Sequence, residues 1–255
     1  LTTMAIGGNM PDMYVHFTSF TGKALQMRVF EDLIPLLGKD YVSGWDPMFF
    51  QESVINGKML FAPWVGIPTA VLYRKDLWAA AGNPAFPKTW DEFLAVAKKL
   101  TVDTDKDGKI DQYGWAIVGT PNGSGQGRFS QVVRNSGGYN YRETAAGKWE
   151  SGAMTKGYLD ALTLYQDAVK EGVVPPGYTS TGYPEASAQI ANGKGVMMIT
   201  GPHSLGIIMK ANPALDGKIG GFPMPTNNGA SPVTTLGNLG YAVSKSGKNK
   251  PLAIE

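Results

Sequence analysis

The sequence predicts an α/β fold built on parallel or mixed sheets. Two observations predict it. Strand and helix signals alternate along most of the chain, and the segment 196–199, Val-Met-Met-Ile, is apolar throughout, without the alternation of a half-exposed strand. A strand of that kind is covered on both faces, which is the situation of a sheet sandwiched between helices.

The elements follow in order. Residues 11–15 read as a first strand and residues 69–73 as a short buried one. A helix over 75–81 is closed by Gly82, with Pro84 and Pro87 preventing its continuation. The next helix, 89–100, opens on a T-x-x-E capping box of Thr89 and Glu92 and carries Trp90, Phe93, Leu94, Ala97 and Leu100 on one face. Residues 114–118 suit a strand, 129–136 a short helix, and 154–171 a longer helix whose Leu159, Leu162, Tyr165 and Val169 share a face before Gly172. In the run YPEASAQIANGKGVMMITGPHS, Tyr183, Ala186 and Ile190 mark a helix and Gly193 its left-handed stop. The strand then delivers Gly201, Pro202, His203 and Ser204 to its carboxyl end, where open α/β sheets bind ligands. Further strands are expected at 218–222 and 239–244.

Composition excludes several classes. The 255 residues can form one large domain or two ordinary ones. Lys plus Arg number 23 against 21 for Asp plus Glu, so no basic field marks a nucleic-acid partner. No stretch approaches the roughly 20 apolar residues of a membrane-spanning helix. Zero cysteines remove disulfides, thiol catalysis and thiolate metal sites. PNGSGQG, residues 121–127, lacks the spacing and Lys-Ser or Lys-Thr end of a phosphate loop and reads as a flexible loop.

VDTDKDGKIDQYG places Asp103, Asp105 and Asp107 at alternate positions, Gly108 at the turn and Asp111 at loop position nine. With the carbonyl of Lys109, this is most of an EF-hand-type oxygen set for a structural calcium ion, although Gly114 stands where the bidentate Glu belongs. A solvated acidic turn is the plainer reading. Sugar sites combine aromatic faces with planar polar groups. Trp64 before the strand at 69–73, and His16 and Phe17 after the strand at 11–15, are placed for this, whereas Trp78, Trp90 and Tyr165 have helical spacing and suit the core.

Three stretches, in the same order along the chain, carry a resemblance. The run from Tyr183 to Ser204 resembles the "F-x-x-G-K-A-A-M-x-x-x-G-P-W" segment of extracellular solute-binding proteins of bacterial ABC importers, in particular their carbohydrate-binding, maltose-binding-protein-like group. TAVLYRKDLWAAAGNPAFPKTWDEFLAVAKKLT is similar to that family's strand, helix, "P-x-T-W-[DE]-[DE]-[FL]" turn and helix, and GNMPDMYVHF to its "G-x-x-P-D-[VI]" strand. The resemblance implies a two-lobed periplasmic-binding-protein fold with a hinge. Lobe 1 is expected from 1–114 and 226–255, lobe 2 from 115–225, with crossovers at 115–120 and 221–226, and the chain truncated at both ends.

It also implies a periplasmic or extracellular receptor, free or anchored as a lipoprotein outside this segment, that delivers a sugar or oligosaccharide to ABC transporter permease subunits and requires no cofactor. His203 stands where relatives place a Trp, and His16 near another ligand position. Thr18 and Ser19 after the first strand, Arg128 after the glycine-rich stretch, Ser204, and Asn238 in TLGNLGYAVS complete the candidate set with Trp64. Either His can instead be a buried, hydrogen-bonded residue, and Arg128 a surface charge. A small carbohydrate-active enzyme, or the same fold binding a non-sugar solute, are the alternatives.

Overall fold

A computed structural model describes residues 1–17, 20–234 and 237–255, and the side chains of all of these except Lys39, Met48, Phe49 and Asn238. The chain divides into two compact units. The first comprises Leu1–Ile67 with Leu236–Glu255, the second Pro68–Thr235.

In the first unit the chain forms α1 (Thr2–Ile6), β1 (Met13–Phe17), α2 (Thr21–Met27), α3 (Ile34–Leu37), α4 (Lys39–Ser43), α5 (Pro47–Ser53), β2 (Val54–Ile55), β3 (Lys58–Met59) and β4 (Ala62–Ile67). Its principal sheet has the order β1, β11, β4, where β11 (Gly237–Val243) returns from the far end of the chain and runs antiparallel to both neighbours. Tyr14, Leu60, Phe61 and Ala242 pack on one face. The Asp of the P-D motif has a local structural use: the Asp12 carboxylate accepts from the Asn249 N–H at 2.9 Å, at the start of α12 (Lys250–Ile254), and the Asp12 carbonyl accepts from Ser244 N–H. That joins the start of β1 to the turn after β11.

The second unit contains β5 (Ala70–Arg74), α6 (Lys75–Ala80), α7 (Trp90–Lys99), β6 (Tyr113–Trp115), α8 (Gly123–Asn135), β7 (Tyr141–Ala145), β8 (Lys148–Ser151), α9 (Lys156–Lys170), α10 (Tyr183–Asn192), β9 (Gly195–Thr200), α11 (Ser204–Ala211) and β10 (Ile219–Phe222). Its main sheet is mixed, in the order β10, β5, β9, β6, with β9 antiparallel to β5 and parallel to β6. All six residues of β9 are buried. Met197 and Ile199 face a core with Phe93, Trp115, Val132 and Leu164, while Met198 faces the other side with Ile190 and Ile208. Helices therefore cover both faces, as the unbroken apolar run predicts.

The capping box of α7 forms as the sequence predicts: Glu92 N–H donates to Thr89 Oγ1 at 3.2 Å and the Glu92 carboxylate accepts from the Thr89 N–H. Gly193 sits at φ +83, ending α10 in the left-handed region that an L side chain resists.

Four expectations need correction. Residues 68–114 and 226–235 group with 115–225 in one unit, because β5 is a central strand of the sheet that holds β9 and β6. The chain thus passes between units at Ile67–Pro68 and Thr235–Leu236 rather than at 115–120 and 221–226. The glycine-rich stretch is helical, not a flexible loop, since the Asn122 side chain accepts from Ser124 and Gly125 N–H and starts α8 at Gly123. On α9, the buried stripe is Gly157, Ala161, Leu164 and Ala168, with Leu159 and Leu162 exposed, because small residues let the helix lie close to its neighbours.

Candidate functional site

In the second unit, the carboxyl end of β9 gathers four groups from three helices. Arg128 on α8 reaches the strand end: its Nε donates to the Ile199 carbonyl at 2.9 Å, Nη2 to Thr200 Oγ1 at 3.0 Å, and Nη1 to the Ser124 carbonyl and Oγ at 3.0 and 2.7 Å. Tyr183, the first residue of α10, lays its ring over the guanidinium, 4.9 Å from Arg128 Cζ to the ring centroid. The exposed ring of His203, the N-cap of α11, sits 5.3 Å from that of Tyr183. Ser204, fully buried, shares a 2.6 Å hydrogen bond with Thr200 Oγ1.

The electrostatics follow from this packing. Burial pulls the Arg128 guanidinium below its ordinary value, and the phenols of Tyr183 and Tyr165 act in the opposite direction. Partial burial, and then the charge of Arg128, lower the His203 imidazole from its ordinary value. Buried hydroxyls of Tyr183 and Thr120 have no hydrogen-bond partner among the described residues. The cluster combines an aromatic ring, an imidazole and a guanidinium, residue types that meet a hydroxylated ring.

A separate open groove of about 740 Å³ lies between α8 and α9, lined by Phe129, Leu162, Tyr165, Val169 and Tyr178. Thr120, Gln126, Gln166, Asp167 and Lys170 also line it.

In the first unit, Trp64 is 60% exposed on β4 and packs against Tyr241 of β11 with ring centroids 5.4 Å apart. His16, expected at a rim after the first strand, is instead a core residue within β1. Its ring is fully buried among Phe20, Phe30 and Phe61, its Nε2 bonds Thr21 Oγ1 at 2.7 Å, and burial lowers its pKa to about 4. The physical reason is register: His16 shares the covered face of β1 with Tyr14. Thr18 and Ser19 lie outside the described residues. The Asn238 backbone pairs with Gly66 in the sheet, and its side chain lies outside the described set.

In the acidic loop, carboxylate oxygens of Asp103, Asp105 and Asp111 lie within 4.8 Å of one another. Gly108 at φ +90 makes the turn and donates its N–H to Asp103 at 2.8 Å. Asp107 turns toward Lys109, accepting from its N–H at 2.8 Å. Hard oxygens in this number fit part of a calcium shell, with Lys109 able to contribute a carbonyl.

Sequence reasoning missed Tyr183 and Thr200 as members of the site. Tyr183 was visible only as a helix-face residue. Its use depends on where α8 lies.

The fold is the two-lobed α/β solute-binding type, and the chain belongs to the bacterial extracellular solute-binding protein family, whose profile matches residues 1–255. Curated relatives include a putative binding protein of Brucella abortus, 27% identical over 98% of this chain, and the diacetylchitobiose binding protein of Streptomyces coelicolor, 26% identical over 100% of it. The chain spans 58% and 57% of the length of these two. Among solved structures, an ABC transporter solute-binding protein of Thermotoga lettingae bound with α-D-tagatose superimposes at a TM-score of 0.85, with 24% identity, over 99% of this chain and 63% of that one.

Proposed function

We propose that the protein containing this chain is a receptor that captures a sugar or oligosaccharide in the periplasm or outside the cell and delivers it to the permease of an ABC importer, held at the membrane through that permease or a lipid anchor. The observation that carries this reading is the convergence of Arg128, Tyr183, His203 and Ser204 at the carboxyl end of β9, in a family of extracellular binding proteins. The sugar ligands of the relatives support the ligand class. The exposed Trp64, backed by the half-buried Tyr241 in the first unit, is a second surface of suitable chemistry.

Binding without turnover is part of the proposal. The four residues of the cluster include no carboxylate, whereas glycoside hydrolysis uses a pair of them. A thermal-shift screen of the full-length protein against mono- and oligosaccharides tests the reading. A saturable rise in melting temperature with a sugar supports it; no response to any sugar, or release of a cleaved product, overturns it.

We propose in addition that Asp103, Asp105, Asp111 and the Lys109 carbonyl hold a structural calcium ion, for which the carboxylate grouping is the support. Calcium added after chelation should produce heat in calorimetry and raise the melting temperature, and D103N should lose both. An unchanged melting temperature removes the ion from the account.

A further inference from the structure

Among the described residues, the charge on Arg128 has no counter-ion. Ion pairs among the described residues involve Arg74, Lys98, Lys109, Arg142, Lys156 and Lys250, not Arg128. Every hydrogen-bond acceptor it uses is neutral: two carbonyls and two hydroxyls. The acidic residue nearest in the chain to Tyr183 is Glu185, exposed in the first turn of α10, and it is not bonded to the guanidinium. Joining α8 to the end of β9 requires donors only, which a neutral amide could supply. A partly desolvated cation held by dipoles and one ring face, with no anion, leaves positive charge unbalanced, and removing such a charge from water costs several kcal/mol unless an anion offsets it.

Two further features point the same way. Arginine has five N–H donors, and the four bonds above leave one Nη2 hydrogen without a partner among the described residues. Next to it, α11, eight residues long, begins at Ser204 with His203 as an N-cap that makes no side-chain bond, and has no acidic residue in its first turn. Its positive end therefore adds to the field of Arg128. The imidazole of His203 contributes a hydrogen-bonding group there.

We infer that the solute this site accepts is an acidic sugar, its carboxylate or phosphate paired with the guanidinium of Arg128, which is the specificity-determining residue. The inference rests on the sugar-receptor reading and narrows it. A carboxylate or phosphate supplies the acceptor that the spare Nη2–H lacks and balances the charge, while the Tyr183 and His203 rings meet the sugar body.

Titration calorimetry on the full-length protein with matched sets tests it: glucose, glucuronate and glucose 6-phosphate, and galactose with galacturonate. The charged member should bind about tenfold or more tightly than its neutral partner at low salt, with the difference shrinking as salt rises. Glucuronate against glucose 6-phosphate tells a carboxylate ligand from a phosphate one. R128Q should abolish the preference. Where R128Q does not fold, H203E, at an exposed ring, places a carboxylate beside the guanidinium and should lower affinity for the charged members most. Tight binding of neutral sugars with the acidic partners bound equally or rejected overturns the inference and leaves the receptor standing. Binding of no sugar, charged or neutral, removes both.

Discussion

At Gly114 strand β6 lies directly against the backbone at Ala97 of helix α7, and adding one methyl group there should be costly. A Cβ at this position would stand 2.0 Å from the Ala97 carbonyl oxygen and 2.5 Å from its carbon and Cα, all of them backbone atoms. Carbon contacts are favourable only at about 3.5 to 4.0 Å, so α7 must retreat by on the order of 1 Å or more. That retreat pulls Phe93 from its edge-on contact with Trp115, at 5.2 Å, and stretches the chain of bonds from Gly114 N–H to Thr101 Oγ1 to the Ala97 carbonyl, now 2.9 and 2.8 Å. Overpacking of about 1 to 3 kcal/mol and a weakened hydrogen bond of about 1 kcal/mol give a loss of about 3 kcal/mol for G114A. In a chain of this size the melting temperature should fall by about 6 to 12 °C. The control is G127A, in helix α8, with nothing within 4 Å of the added carbon. There the smaller unfolded-state entropy should stabilise by about 0.4 to 1 kcal/mol, a rise of about 1 to 4 °C. Calorimetric or fluorescence melting of both variants reads the difference. If G114A melts within about 2 °C of the parent, the helix-on-strand packing described above is wrong.

Three other outcomes are expected. T89A removes the oxygen that accepts the Glu92 N–H and should cost about 1 kcal/mol, read as a lower urea midpoint with an unchanged slope. The buried guanidinium of Arg74 bonds the Ile190 carbonyl at 2.8 Å, near the end of α10, and both oxygens of Asp76 at 2.8 and 2.7 Å, which holds the Asp76 carboxyl below its usual range. R74M should therefore lose about 2 kcal/mol at pH 7 in the same urea assay, and a loss under about 0.5 kcal/mol would count against these bonds. His16 is held neutral, with its value lowered from 6.5 to about 4, so the unfolded chain takes up a proton that the native state refuses. Stability from this group is complete above about pH 6.5 and declines as pH falls toward 4, by on the order of 3 kcal/mol, and H16Q should flatten that decline in melts recorded across the window.

Much of the second unit was legible because its signals are local. The capping box at Thr89 and Glu92, the glycine stop at Gly193 and the unbroken apolar run of β9 each depend on neighbours a few residues away, and each formed where the pattern placed it. The stretch 121–127 misled because glycine content was read as flexibility, although Asn122 stood in position to cap a helix. His16 misled for a related reason. The strand extends to Phe17, two residues beyond the expected end, and that extension carries the imidazole into the covered face.

By itself, then, the sequence determined the α/β class, most helix and strand identities and the family, since these depend on spacing, caps and ordered motifs. Only the tertiary structure decided where the chain divides into units, because strand order is set by pairing between distant segments: β5 lies beside β9 and β10, and β11 comes back to β1 and β4. It alone also decided that Arg128, Tyr183 and His203 form one cluster. They come from three helices, and no periodicity along a chain records which rings a long guanidinium side chain will meet once the helices pack on a shared strand.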